Sequence, residues 1–301
     1  MDPLIVVFGL GVGILVGLTG IGGGSLMAPL LILGAGVQPV VAIGTDLAYG
    51  AITKTVGGWR HLKAGTVDMG LSIWLAVGSI PGSLVGVYAL DRLHHAYGDD
   101  FDPVLLTLVA AMLLVVAIAI LFRAMFLTRL IARERDTVEL SRGTKALAIG
   151  IGAVIGLLLG LTSVGSGALI GLALILIFHM TPHRVVGTDV FHAAVLLWVA
   201  GFAHFVSGNV DLMLTANILA GSIPGVWFGA WLMQRVPSNG LRPVLGCVLL
   251  GSALAVMSKA GIDVPVTAIV GVPLAVGVFA AVLYRIRPPV PPTTREAVAT
   301  A

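Results

Sequence analysis

"GLTGIGGGSLMAPLLIL", Gly17–Leu33, interrupts an apolar run that otherwise reads as a membrane helix. Five of its seventeen residues are glycine, which weakens helix wherever it stands. The same pattern returns at Gly160–Leu176 as "GLTSVGSGALIGLALIL". Shifting the chain by 143 residues lays Gly17–Arg92 on Gly160–Arg235 without a gap, with 28 identities in 76 positions. Pro39 falls on Pro182, the triplet Gly44–Asp46 on Gly187–Asp189, and His61 on His204. Val67–Asp68 falls on Val210–Asp211, and "GSIPG" at Gly78–Gly82 on Gly221–Gly225. The chain is two copies of one unit, so whatever the glycine break does, it does twice.

Composition sets the medium. Hydrophobic residues make up 58% of the 301 and charged residues 10%, with a mean hydropathy of +1.07. A soluble domain carries about a quarter charged residues, so the pattern is that of an all-α polytopic membrane protein, with the lipid bilayer as its main partner. The start, "MDPLIVVFGL", has no basic residue ahead of its apolar run, so a retained segment rather than a cleaved signal is expected. A formal charge of +3 argues against nucleic acid as a partner. Cys247 stands alone in an apolar run and offers neither a disulfide nor a cysteine metal site. No nucleophile–base pair or metal-ligand spacing emerges, so the expectation is a protein that is not an enzyme, with no metal and no cofactor.

Hydropathy divides the first copy into a broken segment at about 4–33 and spans near 40–59, 68–90 and 103–125. The second copy has a broken segment at about 145–178 and spans near 185–207, 211–233 and 241–258. A last span lies at about 264–284. The resulting partition is a first membrane repeat at 1–125, a cytoplasmic linker at 126–144 and a second repeat at 145–258. A final transmembrane helix at 259–285 and a disordered, proline-rich cytoplasmic tail at 286–301 complete it.

Charge chooses between two topologies. If each broken segment crosses the membrane, the copies are parallel, and nine Lys/Arg lie inside against seven outside. If each dips in and returns, the copies are inverted, and fourteen lie inside against two outside, Arg92 and Lys259. The positive-inside rule selects two inverted repeats, each a re-entrant broken helix plus three transmembrane helices, with one extra C-terminal helix. That places the protein in the cytoplasmic (inner) membrane with its N-terminus outside and its C-terminus inside. Length agrees, because Leu4–Leu18 and Ser25–Leu33 suit two half-helices meeting near the midplane.

Backbone that leaves a helix in hydrocarbon survives only inside protein or beside a water-filled cavity. The helix that follows each break starts near Ser25 or Ser166, and its first amides lack intrahelical partners. Such a terminus holds an anion without a basic side chain, and inverted repeats bring two of them together where secondary transporters bind substrate. The expected anion-binding residues are Thr19, Gly20, Gly22, Gly23, Gly24 and Ser25 in the first copy. In the second they are Thr162, Ser163, Gly165, Ser166 and Gly167. The competing reading of the glycines is close helix packing.

Thr45, Asp46, Thr188 and Asp189 come early in a span, where a carboxylate is costly. Two roles stand open: carrying a coupling proton or cation, or capping and binding the re-entrant tip. Lys54 has no charged twin, since Leu197 occupies its place; it could pair with Asp46, attract anions or snorkel. His61 and His204 sit near span ends and read as structural. "HHAYGDDFD", His94–Asp102, reads as a solvated outer loop rather than a metal tract.

At "GLTGIGGGSLMAPLL" followed by "GTD", repeated as "GLTSVGSGALIG" and "GTD", with "GSIPG" in each half, the chain resembles the sulfite exporter TauE/SafE family. The resemblance covers roughly residues 5–285. The second copy departs from it, with Ser163, Ser166, Ala168 and Leu172 in place of Gly20, Gly23, Ser25 and Pro29. The resemblance implies movement of a small sulfur-containing anion, such as sulfite, sulfoacetate or another organosulfonate, with protons as a coupling ion to be tested. A passive anion channel and an anion-sensing membrane subunit are the alternative classes.

Overall fold

The computed structural model describes residues 2–19, 25–125, 136–165, 167–233 and 241–286. The first copy supplies α1 (Pro3–Thr19), α2 (Met27–Gly34), α3 (Pro39–Lys63), α4 (Met69–Tyr97) and α5 (Asp102–Met125). The second supplies α6 (Arg142–Thr162), α7 (Ala168–Leu176), α8 (Pro182–Val206), α9 (Leu212–Met233) and α10 (Leu241–Lys259), and α11 (Val266–Ile286) follows. The protein is an all-α, multi-span membrane protein. Met69–Met125, Arg142–Thr162, Pro182–Val206, Leu212–Leu232 and Val266–Leu283 are each long and apolar enough to cross a bilayer. Its outer surface is accordingly apolar, with Trp227, Phe202, Val266 and Leu274 exposed.

Local chemistry explains the helix boundaries, and it does so in duplicate. Pro39 and Pro182 open α3 and α8 at the first turn, where a missing N–H costs nothing. Asp68 Oδ1 accepts from Leu71 N at 3.0 Å to cap α4, and Asp211 Oδ1 accepts from Leu214 N at 2.9 Å to cap α9. Gly65 and Gly208 sit just past α3 and α8 with φ of +67° and +78°, the left-handed stop that glycine takes without strain.

The packing has a pseudo-twofold pattern. The first helix of each copy lies on the long proline-containing helix of the other, α1 on α9 and α6 on α4. Glycines make these contacts close. A Cβ at Gly78, Gly82 or Gly86 of α4 would overlap the backbone of Ile149, Ala153 or Leu157 of α6. In the twin interface Gly221, Gly225 and Gly229 meet Val6, Leu10 and Ile14 in the same way. These are small-residue seams, in which backbones approach where water gives no hydrophobic drive. The pairs advance together, so α4 and α6 run parallel, and so do α1 and α9. By contrast α3 and α8, equivalent helices, run antiparallel: Gly50 meets Leu197, Gly57 meets Val190 and Gly201 meets Ala48.

The short helices double back. Gly34 at the end of α2 packs on the ring of Phe8 in the first half of α1, so α2 returns along α1. In the second copy Leu174 of α7 and Phe178 beyond it share an apolar cluster with Ala148 and Ile151 near the start of α6. Polar contacts gather the loops at two ends. At one end Arg184 Nη1 donates to Val67 O at 3.2 Å, and Val138 N donates to Asp68 Oδ2 at 3.4 Å. At the other, Lys259 Nζ at the end of α10 donates to Ile32 O near the end of α2.

The arms of each broken segment are unequal: α1 and α6 have 17 and 21 residues against eight and nine in α2 and α7, and α1 and α2 fall within two residues of the expected Leu4–Leu18 and Ser25–Leu33. At 1.5 Å per residue the first arm nearly spans the hydrocarbon by itself. His94–Tyr97 are not loop but the last turn of α4, followed by a short 3₁₀ turn over Gly98–Phe101.

Candidate functional site

In the second copy all of the break except Ser166 lies within the described residues. Thr162 ends α6, its hydroxyl donating to Leu158 O at 2.7 Å and accepting from Val164 N at 3.2 Å. Ser163 then turns left-handed with φ 59°, and Gly165 follows at φ 110°. Gly167 stands at the N-terminus of α7. Thr162, Ser163 and Val164 are buried, so this turn lies inside the protein. In the first copy Thr19 ends α1, and Ser25 stands half-buried ahead of α2. Gly20, Gly22, Gly23, Gly24 and Ser166 lie outside the described residues.

One carboxylate joins the two breaks. Ser163 Oγ donates to Asp46 Oδ2 at 2.8 Å, a fully buried contact between the copies. The same carboxyl group faces the backbone N–H of Ala28 in the first turn of α2. Its other oxygen, Oδ1, is buried without a hydrogen-bond partner among the described residues. Asp46 thus touches the turn before α7 and the start of α2.

The other members of the Gly-Thr-Asp triplets do different work. Thr45 Oγ1 accepts from Asp211 N at 3.1 Å, and Thr188 Oγ1 accepts from Asp68 N at 2.9 Å. Each threonine therefore holds the start of the long helix of the opposite copy. The glycines make room for that docking: a Cβ at Gly44 would overlap Asn209, and one at Gly187 would overlap Thr66. Glycine and threonine in the triplet build the interface, and only the aspartate turns toward the breaks.

Asp189 shares its surroundings with cations. Lys54 and Arg123 are both within electrostatic reach of it, and Lys54 also reaches Asp46. A Cβ on Gly171, the α7 counterpart of Ala28, would stand 3.3 Å from Arg123 Nη1 and 3.9 Å from Asp189 Oδ2. The core thus carries four ionisable groups, Asp46, Lys54, Asp189 and Arg123, on α3, α8 and α5, with Lys54 in reach of both aspartates. Paired ionisable groups inside a membrane protein mark functional paths more often than they add stability.

Sequence reading missed four participants. His192 on α8 shares a 3.1 Å hydrogen bond with Ser79 Oγ of α4. Its counterpart on α3 is Tyr49, whose hydroxyl lies toward Ser222 of α9 without reaching hydrogen-bond geometry. All four side chains are buried. The signal was available in the register of 143, because Tyr49 falls on His192 and Ser79 on Ser222. The duplicated histidines, by contrast, part company. His204 is buried and meets Gly160 O at 3.0 Å in the last turn of α6, whereas His61 bonds its own loop through Thr66 at 3.0 Å.

What the assembled residues can do is limited in kind. Among the described residues no group of three or more His, Cys, Asp and Glu side chains is placed to hold a metal ion. What is present is a buried turn with hydroxyl and amide donors, an aspartate across it, and cations behind.

A family model described as Sulfite exporter TauE/SafE matches residues 5–256. The chain is 40% identical over 254 residues to a "Probable membrane transporter protein YjnA" of Bacillus subtilis, covering 84% of this chain and 99% of that one. Two further Bacillus subtilis proteins with the same description, YdhB and YunE, are 29% and 28% identical over 238 residues each. These cover 77% and 76% of this chain and 91% and 86% of theirs. No solved structure matches the chain.

Proposed function

The chain belongs to the sulfite exporter TauE/SafE family, and on that premise we propose that it is a secondary transporter exporting a small sulfur-containing anion across the cytoplasmic membrane. The anion is sulfite, sulfoacetate or a related organosulfonate. It is held at the two breaks by the first amides of α2 and α7 and by the hydroxyls of Thr19, Ser25, Thr162, Ser163 and Ser166. The glycines Gly20, Gly22, Gly23, Gly24, Gly165 and Gly167 keep those amides uncovered.

The observation that carries this reading is the buried Ser163–Asp46 contact, which brings the turn before α7 into one polar site with the start of α2. The architecture that goes with it is two inverted repeats, each with a re-entrant hairpin and three spans. Antiparallel α3 and α8 support it, because equivalent helices related by an axis along the membrane normal would run parallel. The return of α2 along α1 supports the hairpin. The repeats are 1–125 and 145–258, joined by a linker at 126–144 and followed by a last span at 259–285 and a tail at 286–301. With the basic linker inside, the N-terminus is outside and the C-terminus inside. Transport proceeds by rocking one repeat against the other about the central site.

The test is flux into liposomes of purified protein, screened over sulfite, sulfoacetate, thiosulfate and sulfate, with and without a pH gradient. Accumulation of one of these against its gradient is expected. Flux that never accumulates anion under a pH step or an applied voltage supports a channel instead, and binding without flux supports a sensor.

A further inference from the structure

We propose that Asp46 is a resident competitor of the substrate anion, so that the anion enters its site only when Asp46 takes up a proton. The inference rests on the reading of the breaks as the anion site. It adds the identity of the coupling ion and the residue that carries it.

Two of the donors assigned to the substrate already face a carboxylate. Ser163 Oγ donates to Asp46 Oδ2, and the first-turn amide of Ala28 faces the same group. A carboxylate on such donors is a tethered copy of the ligand. An incoming anion would meet both a competitor on these two donors and a like charge in a medium that screens poorly. Protonation removes both obstacles. The neutral carboxyl releases the Ser163 hydroxyl, stops repelling the anion and presents an O–H of its own. Oδ1 itself has no hydrogen-bond partner among the described residues, so the ionised form is held by Ser163, the Ala28 amide and the charge of Lys54.

Among the described residues the surroundings offer no other resident anion at this point. On α3 itself, Lys54 and Tyr49 are within electrostatic reach of Asp46. On α8, Asp189 faces Lys54, and His192 faces Ser79 and Lys54. Arg123 on α5 faces Asp189. On α9, Asp211 caps its own helix while its amide holds Thr45. The α2 sequence, "MAPLLILG", carries no titratable group. Among the described residues Asp189 has Lys54 and Arg123 as charge partners and Asp46 has Lys54, so the two carboxylates differ, and the one bonded to the break, Asp46, is the proton site. Lys54 retains the Asp189 partner when Asp46 is neutral.

The sign follows. Anion affinity rises as pH falls, and one anion moves with one proton. A dianion with one proton carries one net negative charge, so an inside-negative potential drives it outward.

The experiment uses full-length protein in liposomes, potential clamped at zero with potassium and valinomycin, and labelled sulfoacetate and sulfite as probes. Wild type should accumulate probe on the alkaline side by about tenfold per pH unit. Asp46→Asn should show exchange that no longer varies with pH, at whatever rate remains, with its accumulation ratio falling to about one, and Asp46→Glu should restore accumulation. Accumulation by Asp46→Asn equal to wild type overturns the proposal. So does loss of exchange in a monodisperse Asp46→Asn protein, which would make the carboxylate a structural tie. Wild-type exchange without accumulation overturns the proton role and leaves the anion reading standing. Wild type that exchanges neither probe overturns both. Should Asp46→Asn fail to fold, Ser163→Ala decides. Deleting the donor to the ionised carboxylate should move the pH midpoint of exchange upward, and an unmoved midpoint refutes the competition.

Discussion

Replacing Thr188 by valine isolates the contact that docks one copy on the other. Thr188 is fully buried, and its hydroxyl is the acceptor for Asp68 N at 2.9 Å. Valine keeps the volume and removes only the acceptor. The amide of Asp68 then stays in the interface unpaired, which costs about 1–3 kcal/mol. Serine at the same position keeps the acceptor and loses one methyl group, so its cost stays below about 1 kcal/mol. The twin substitution Thr45→Val orphans the amide of Asp211 at the opposite end and should cost about the same 1–3 kcal/mol. The two sites share no partner, so the double variant should lose about 2–6 kcal/mol, the sum of the singles. Unfolding in mixed micelles by stepwise addition of SDS, followed by tryptophan fluorescence, reads these differences. A Thr188→Val protein as stable as Thr188→Ser would refute the account of the triplet, because the hydroxyl would then hold nothing.

Two other outcomes follow from the geometry. Gly82→Leu places a side chain into the backbone of Ala153, so no monodisperse protein should be recovered. Gly11→Ala, where nothing lies within 4 Å, should instead be neutral or stabilising by about 0.5–1 kcal/mol, as seen in size-exclusion profiles after heating. Inverted repeats require that equivalent loop positions face opposite sides of the membrane. In a Cys247→Ser background, a cysteine at Ser207 should react with an impermeant maleimide on intact cells, and one at Ala64 only after permeabilisation. Labelling of both from one side would refute the inversion.

Much of the architecture was legible because the duplication is nearly gapless. The register of 143 anticipates each twin contact, from the caps at Asp68 and Asp211 to the glycine seams of α4 and α9. Identity at equivalent positions was nevertheless a poor guide to shared roles. His61 and His204 match in sequence, yet one bonds a loop threonine and the other a buried helix carbonyl. The reason is local: the loop residue is Thr66 in one copy and Asn209 in the other. Tyr49 and His192 show the converse, different residues turned toward equivalent serines, and a search for identities passes over them. Arg123 enters the sequence reading only as one of the Lys/Arg counted for orientation, since only tertiary packing brings α5 against α7 and Asp189. The roles of Gly44, Thr45 and Asp46 were likewise inseparable until their faces on α3 were known.

The most direct test of the anion site is flux through a protein whose first break has been filled. Gly22, Gly23 and Gly24 replaced together by alanine add three methyl groups and favour helix where the account needs uncovered amides. Liposome flux of sulfite and sulfoacetate should fall to the protein-free background, while membrane insertion and monodispersity are retained. Undiminished flux from the triple variant would contradict the account at its centre.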